Sequence, residues 1–146
     1  MIRSLLLLTA LGSMIFLLTD CKKSDDAEPG VEEVQLQKLL GTWKALHVSK
    51  DGVAQPGYDN FKLTISGTTT KIDYVSSGRP ASSPWPATGV LTFGPQPATD
   101  LVREDLPMTY SVTDSQLEIT LMYDGAGFPS RITDVKGQWI FTLTKP

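Results

Sequence analysis

Between Phe61 and Leu143 the chain repeats one pattern: apolar and polar side chains alternate in short runs, and turn residues end each run. Phe61, Leu63 and Ile65 alternate with Lys62, Thr64 and Ser66; Met108, Tyr110 and Val112 with Thr109, Ser111 and Thr113. Leu117, Ile119, Leu121 and Tyr123 alternate with Gln116, Glu118 and Thr120, and Trp139, Phe141 and Leu143 with Ile140, Thr142 and Thr144. Weaker runs occupy 42–49, 69–76, 88–94 and 100–103. A period of two belongs to strands with one face in the core and one in water. Of the 106 residues from Gly41 to Pro146, 23 are Thr or Ser and 19 are Gly or Pro, which leaves no room for long helices. Turns are expected at Asp51-Gly52, Ser66-Gly67, Ser77-Gly78, Asp114-Ser115 and Asp124-Gly125. The fold class that follows is all-β: an antiparallel up-and-down barrel of about eight strands, because closure removes exposed sheet edges. A two-sheet sandwich satisfies the same alternation.

The alternation directs eighteen large side chains inward: Trp43, Phe61, Leu63, Ile65, Ile72, Tyr74, Leu91, Phe93, Met108, Tyr110, Val112, Leu117, Ile119, Leu121, Tyr123, Trp139, Phe141 and Leu143. A barrel of about eight strands is just wide enough to be filled by side chains or to hold one small ligand. This many large residues predict a filled barrel with a shallow mouth rather than a roomy cup.

Upstream, the chain carries an address. Met1-Ile2-Arg3 is a short basic start, Ser4 to Leu18 is apolar, and Cys21 stands where the sequence turns polar at Lys22-Lys23-Ser24-Asp25-Asp26. The apolar run is short of the roughly 20 residues a bilayer span needs and has the length of a signal-peptide core. This arrangement resembles a bacterial lipoprotein signal, with Asp20 where a small residue is usual. The resemblance implies a signal peptide over 1–20, lipidation of Cys21, and a cell-envelope protein of the outer membrane, held by its lipid. The other reading of Cys21 is a free thiol after an ordinary secretory signal. Residues 21–30 read as a tether without large apolar side chains. It also resembles the acidic stretch that follows the cysteine in lipoproteins sent to the cell surface. The folded domain is expected over 31–146. A short helix at its start, Val31 to Leu40, has Glu32 and Glu33 at its N-terminus and Gly41 after its end.

Leu40-Gly41-Thr42-Trp43 opens the first strand directly after that helix. Together with Leu91-Thr92-Phe93 after Pro84-Trp85-Pro86, and the closing Gly137-Gln138-Trp139-Ile140-Phe141-Thr142-Leu143, it resembles the lipocalins and the lipocalin-like domains of bacterial lipoproteins. The resemblance spans about residues 40–146 and implies a lipocalin-like barrel. It further implies that Trp43 closes one barrel end beneath a basic side chain from near the last strand, with Arg131 or Lys145 in that role.

Composition restricts function. With 13 Lys+Arg against 16 Asp+Glu and a net charge of −3, there is no basic excess to hold nucleic acid. One Cys and one His cannot build a zinc site, and no cofactor motif occurs. His47 shares the alternation face of Trp43 and Ala45 and has no paired nucleophile, so no enzyme is expected. Asp100, Glu104 and Asp105 lack the spacing of a calcium loop and read as a solvated acidic loop. In the stretch Ser76 to Ala87, prolines on both sides hold Trp85 in extended backbone. Trp85 either stands exposed for a ligand or folds back to cap the barrel. The first functional reading is a non-enzymatic, membrane-anchored module that binds a small apolar ligand through Trp85, Tyr58, Tyr74 and Tyr110. The tyrosines equally suit core filling with their hydroxyls at the rim. The alternative function is a filled barrel that docks an envelope protein or glycan, as accessory or inhibitor.

Overall fold

A computed structural model describes residues 28–125 and 135–146. The signal peptide, Cys21, most of the tether and Arg131 lie outside the described residues. The elements are α1 (Val31–Leu39), β1 (Gly41–Lys50), β2 (Val53–Ala54), β3 (Lys62–Thr68), β4 (Lys71–Ser77), β5 (Thr88–Phe93), β6 (Asp100–Arg103), β7 (Leu106–Val112), β8 (Gln116–Tyr123) and β9 (Gly137–Thr144).

Each long strand pairs antiparallel with its neighbour in sequence, from β3 through β9. β1 pairs with β3 on one side and with β9 on the other, so the sheet closes into an eight-stranded barrel. β2 is a short return after the Asp51-Gly52 turn and pairs only with the end of β1. The fold is an all-β, lipocalin-like up-and-down barrel with one short helix, and the sandwich alternative is set aside. None of the helices described is long and apolar enough to cross a membrane.

The two ends differ. At the helix end, α1 precedes β1, and the β3–β4, β5–β6 and β7–β8 connections gather. Glu32 and Glu33 in the first turn and Lys38 in the last complement the helix dipole. Leu36 and Leu39 turn into the barrel while Val31 and Val34 stay exposed, so the apolar side of the helix is narrower than its four aliphatic residues suggest. The Trp43 indole donates to the Leu39 carbonyl at 2.8 Å, and the Lys145 ammonium sits 4.9 Å from the Trp43 ring centre. The basic partner implied by the lipocalin resemblance is therefore present, as Lys145. The opposite end carries the Asp51-Gly52 turn, the loop between β4 and β5, and the Glu104-Asp105 turn between β6 and β7. Both residues of the latter have positive φ, 47° and 69°, as a two-residue type I′ hairpin requires.

Sixteen of the eighteen expected inward residues are buried. Phe93 and Val112 are half-buried because they end β5 and β7 at the helix end, where they pack against the rim of the core. Three details correct the sequence reading. The turn expected at Ser66-Gly67 falls at residues 69–70 instead, and Gly67 remains in β3 opposite Ile72. A bulge in β1 between Ala45 and His47 inserts Leu46, which is 69% exposed, and reverses the alternation after it. His47 therefore faces outward and Val48 inward. The third correction concerns the acidic group: Asp100 begins β6 at the helix end, whereas Glu104 and Asp105 turn the chain at the opposite end. Asp100 is occupied locally, accepting from the Thr99 hydroxyl at 2.9 Å and the Gln96 amide at 3.3 Å.

Candidate functional site

The chemistry of this barrel gathers at the end opposite the helix. The loop between β4 and β5 folds back over the barrel there. It is tied by the Ser76 hydroxyl donating to the Pro86 carbonyl at 2.6 Å, and by the Ser76 amide donating to Ala87 at 2.7 Å. The Trp85 amide donates to the Ser83 hydroxyl at 3.2 Å, fixing the last turn of the loop. These bonds deliver Trp85 into the interior, where its relative exposure is 0%. Of the two sequence readings for Trp85 the capping one describes its position, and the exposed one is corrected. The reason is energetic: an indole buries far more apolar surface inside than it would contribute to a solvated loop.

Inside, Trp85 stands edge-on to Tyr74 at 5.1 Å and 81°, and to Phe141 at 6.0 Å and 88°. Tyr58 meets Phe61 at 5.6 Å, Phe141 at 5.6 Å and Trp139 at 6.1 Å, all near T-shaped. Trp139 stacks on Phe141 at 5.9 Å and 19°. These edge-to-face geometries are the favourable ones for aromatic rings. Gly89 belongs to the same construction: a Cβ there would meet the Tyr74 hydroxyl at 2.5 Å and its ring at 2.7 Å, so the missing side chain makes room for the tyrosine.

The expected binding set divides. Tyr58, Tyr74 and Trp85 come together at this end. Tyr110 does not join them; it lies toward the helix end, where its hydroxyl donates to the Pro97 carbonyl. Trp43 holds the helix end.

Sequence reasoning missed Arg103. It stands in sequence between Asp100 and the Glu104-Asp105 pair, the stretch read above as a solvated acidic loop, yet it ends β6 on the inward face and is 3% exposed. Its guanidinium carbon lies 5.0 Å from the centre of the Trp85 ring, within cation–π range. Burial pushes its pKa down from the usual value, while Tyr74 and Glu104 act the other way. The available signal was the period of two: Leu101 and Arg103 share one face of a four-residue strand.

The buried tyrosines make an alkaline limit to stability. Burial pushes Tyr58, Tyr74 and Tyr110 up to about 12; the Ser83 hydroxyl opposes this at Tyr58, Arg103 opposes it at Tyr74, and Asp100 adds to it at Tyr110. The protonated phenol is favoured in the folded chain, so this stabilisation is whole below pH 10 and is lost as pH rises from 10 toward 12. At most each contributes roughly 2–3 kcal/mol. Cooperative unfolding is expected in that window, with tyrosinate absorbance appearing together with the loss of circular dichroism. Tyrosinate appearing near pH 10 while the barrel stays folded would contradict it.

No protein-family model matches the chain, and no curated protein or solved structure matches it either.

Proposed function

We propose that this chain is a non-enzymatic, lipid-anchored lipoprotein of the outer membrane whose barrel binds a small, largely apolar ligand at the end covered by the Trp85 loop. The observation that carries the binding reading is the convergence there of Tyr58, Tyr74 and Trp85, three rings brought from separate parts of the chain onto one interior surface. Anchoring rests on the sequence alone: a basic start, an apolar stretch, and Cys21 at its exit. Acyl chains contribute about 0.8 kcal/mol per buried methylene, so two or three of them hold a domain durably.

Native mass spectrometry of the protein released gently from membranes and incubated with envelope lipid extract tests the binding. A discrete added mass of small-molecule size is expected, and bare protein under every condition would refute it. Cys21→Ser is expected to move the protein from the membrane to the soluble fraction.

One observation favours the second reading, docking of a protein or glycan. Val75 and Met122 remain 50% and 59% exposed on the outer face of the sheet, apolar surface that lies outside the barrel interior. Bare protein in the ligand test together with capture of an envelope partner would select it.

A further inference from the structure

The three tryptophans of the chain are all buried, but their N–H groups fare differently. Trp43 donates to the Leu39 carbonyl at 2.8 Å and Trp139 to the Val135 carbonyl at 2.7 Å. The Trp85 indole N–H has no partner among the described residues. Neither do Nε and Nη1 of Arg103, nor the hydroxyls of Tyr74 and Tyr123. All four residues are buried, at 0% to 3% exposure: Arg103 lies against Trp85, Trp85 stands edge-on to Tyr74, and Arg103 acts electrostatically on Tyr74 and on Tyr123, which ends β8 at the same end of the barrel. No carboxylate among the described residues makes an ion pair with Arg103.

The inventory has a sign. Arg103 and Trp85 can only donate, and the tyrosine hydroxyls donate readily. Three N–H groups and two hydroxyls therefore lie in an interior where, among the described residues, none of them is given a hydrogen-bond partner, and the only acceptors in the set are the two hydroxyl oxygens. A buried cation in such surroundings is costly unless a partner balances it. One water accepts two hydrogen bonds, too few for this set, whereas a carboxylate offers about four acceptor sites, and its two oxygens suit a guanidinium. We infer that the barrel end beneath the Trp85 loop is a site for an organic carboxylate, its charged group held by Arg103 with Trp85, Tyr74 and Tyr123, and its apolar part against the neighbouring rings. The inference rests on the ligand-binding reading proposed above and adds the chemistry of the ligand's head group.

Phenylacetate and its neutral counterpart phenylacetamide share a ring and differ in charge, so they separate the two claims. Calorimetric titration of the full, membrane-extracted protein is expected to show phenylacetate binding at least about tenfold more tightly. Arg103→Met removes the charge while keeping the length of the chain. It is expected to abolish that preference and, without ligand, to raise the thermal midpoint, because a poorly paired buried charge is replaced by an apolar group. Trp85→Phe and Tyr74→Phe, which keep the rings, are each expected to weaken phenylacetate severalfold and leave phenylacetamide unchanged; they carry the test should Arg103→Met not fold. Equal binding of the two compounds would overturn the carboxylate site while sparing the apolar reading. Binding of neither would overturn both, and so would binding of inorganic phosphate alone. A preference surviving in Arg103→Met would also overturn the assignment.

Discussion

Trp43→Ala is expected to cost about 3–5 kcal/mol, enough to bring a domain of ordinary stability close to unfolding. Three losses combine. The indole is fully buried beneath α1, so its removal forfeits burial and leaves a cavity between the helix and the barrel. The Leu39 carbonyl loses the donor that reaches it at 2.8 Å, which leaves a buried acceptor unpaired at about 1–3 kcal/mol. Lys145 loses the ring beneath it, a contact of roughly 0.5–1 kcal/mol. Trp43→Phe separates these contributions: it keeps most of the ring and loses the hydrogen bond, and is expected to cost about 1–2 kcal/mol. Urea unfolding followed by far-ultraviolet circular dichroism measures both, the midpoint falling with an unchanged slope. A cost under about 1 kcal/mol for the alanine variant would show that the helix end does not belong to the cooperative unit.

Gly67→Ala is expected to destabilise the protein by more than about 3 kcal/mol, a large effect for a single methyl group. Gly67 sits in β3 with φ +122°, a backbone conformation that L side chains rarely adopt. A Cβ there would lie 2.2 Å from the Lys71 carbonyl oxygen and 3.2 Å from the Ile72 Cα. Both are backbone atoms of the paired strand β4, so no side-chain rotation relieves the contact; the hairpin must open. Gly30→Ala is the matched control. No atom lies within 4 Å of its Cβ position and its φ is −61°, so a change below about 1 kcal/mol is expected, from weaker helix capping. Amide hydrogen exchange should place the Gly67→Ala damage in β3 and β4. A variant within about 0.5 kcal/mol of the parent would mean that the hairpin can turn at Ser66-Gly67 after all, where the turn residues suggest it.

Where a strand ran uninterrupted, the sequence was readable at the level of single side chains. β8 and β9 alternate without a break over eight residues each, and every inward residue named for them is buried. β1 shows the limit: up to Ala45 its faces follow the alternation, and beyond the bulge at Leu46 they are reversed, which puts His47 outside. A bulge is a property of the pairing between β1 and β9, and a single strand carries little trace of it. The same holds for the turn after β3, where Ser66-Gly67 has the composition of a turn but the register with β4 carries Gly67 past it.

The candidate site was legible only in part. Tyr58, Tyr74 and Trp85 were chosen as aromatic residues suited to a barrel mouth, and they do converge, whereas Tyr110, chosen on the same grounds, lies toward the other end. Which barrel end a strand residue approaches depends on shear and stagger between strands, quantities no local pattern encodes. Arg103 was hidden for a different reason. Its neighbours Glu104 and Asp105 make it look solvated, because charges adjacent in sequence resemble a wet loop, yet strand geometry sends successive side chains to opposite faces.

Local chemistry is therefore sufficient for the strands, the short helix and the burial of most of the core, since a period of two and dense turn residues are short-range signals, whereas closure of the sheet is decided by the pairing of β1 with β9. The folding back of Trp85, the enclosure of Arg103 against it, and the separation of Tyr110 from the other rings depend on contacts between strands far apart in the chain. Those contacts are set by how the closed barrel packs its interior, and that packing brings the unpaired donors of Arg103 and Trp85 to a single point.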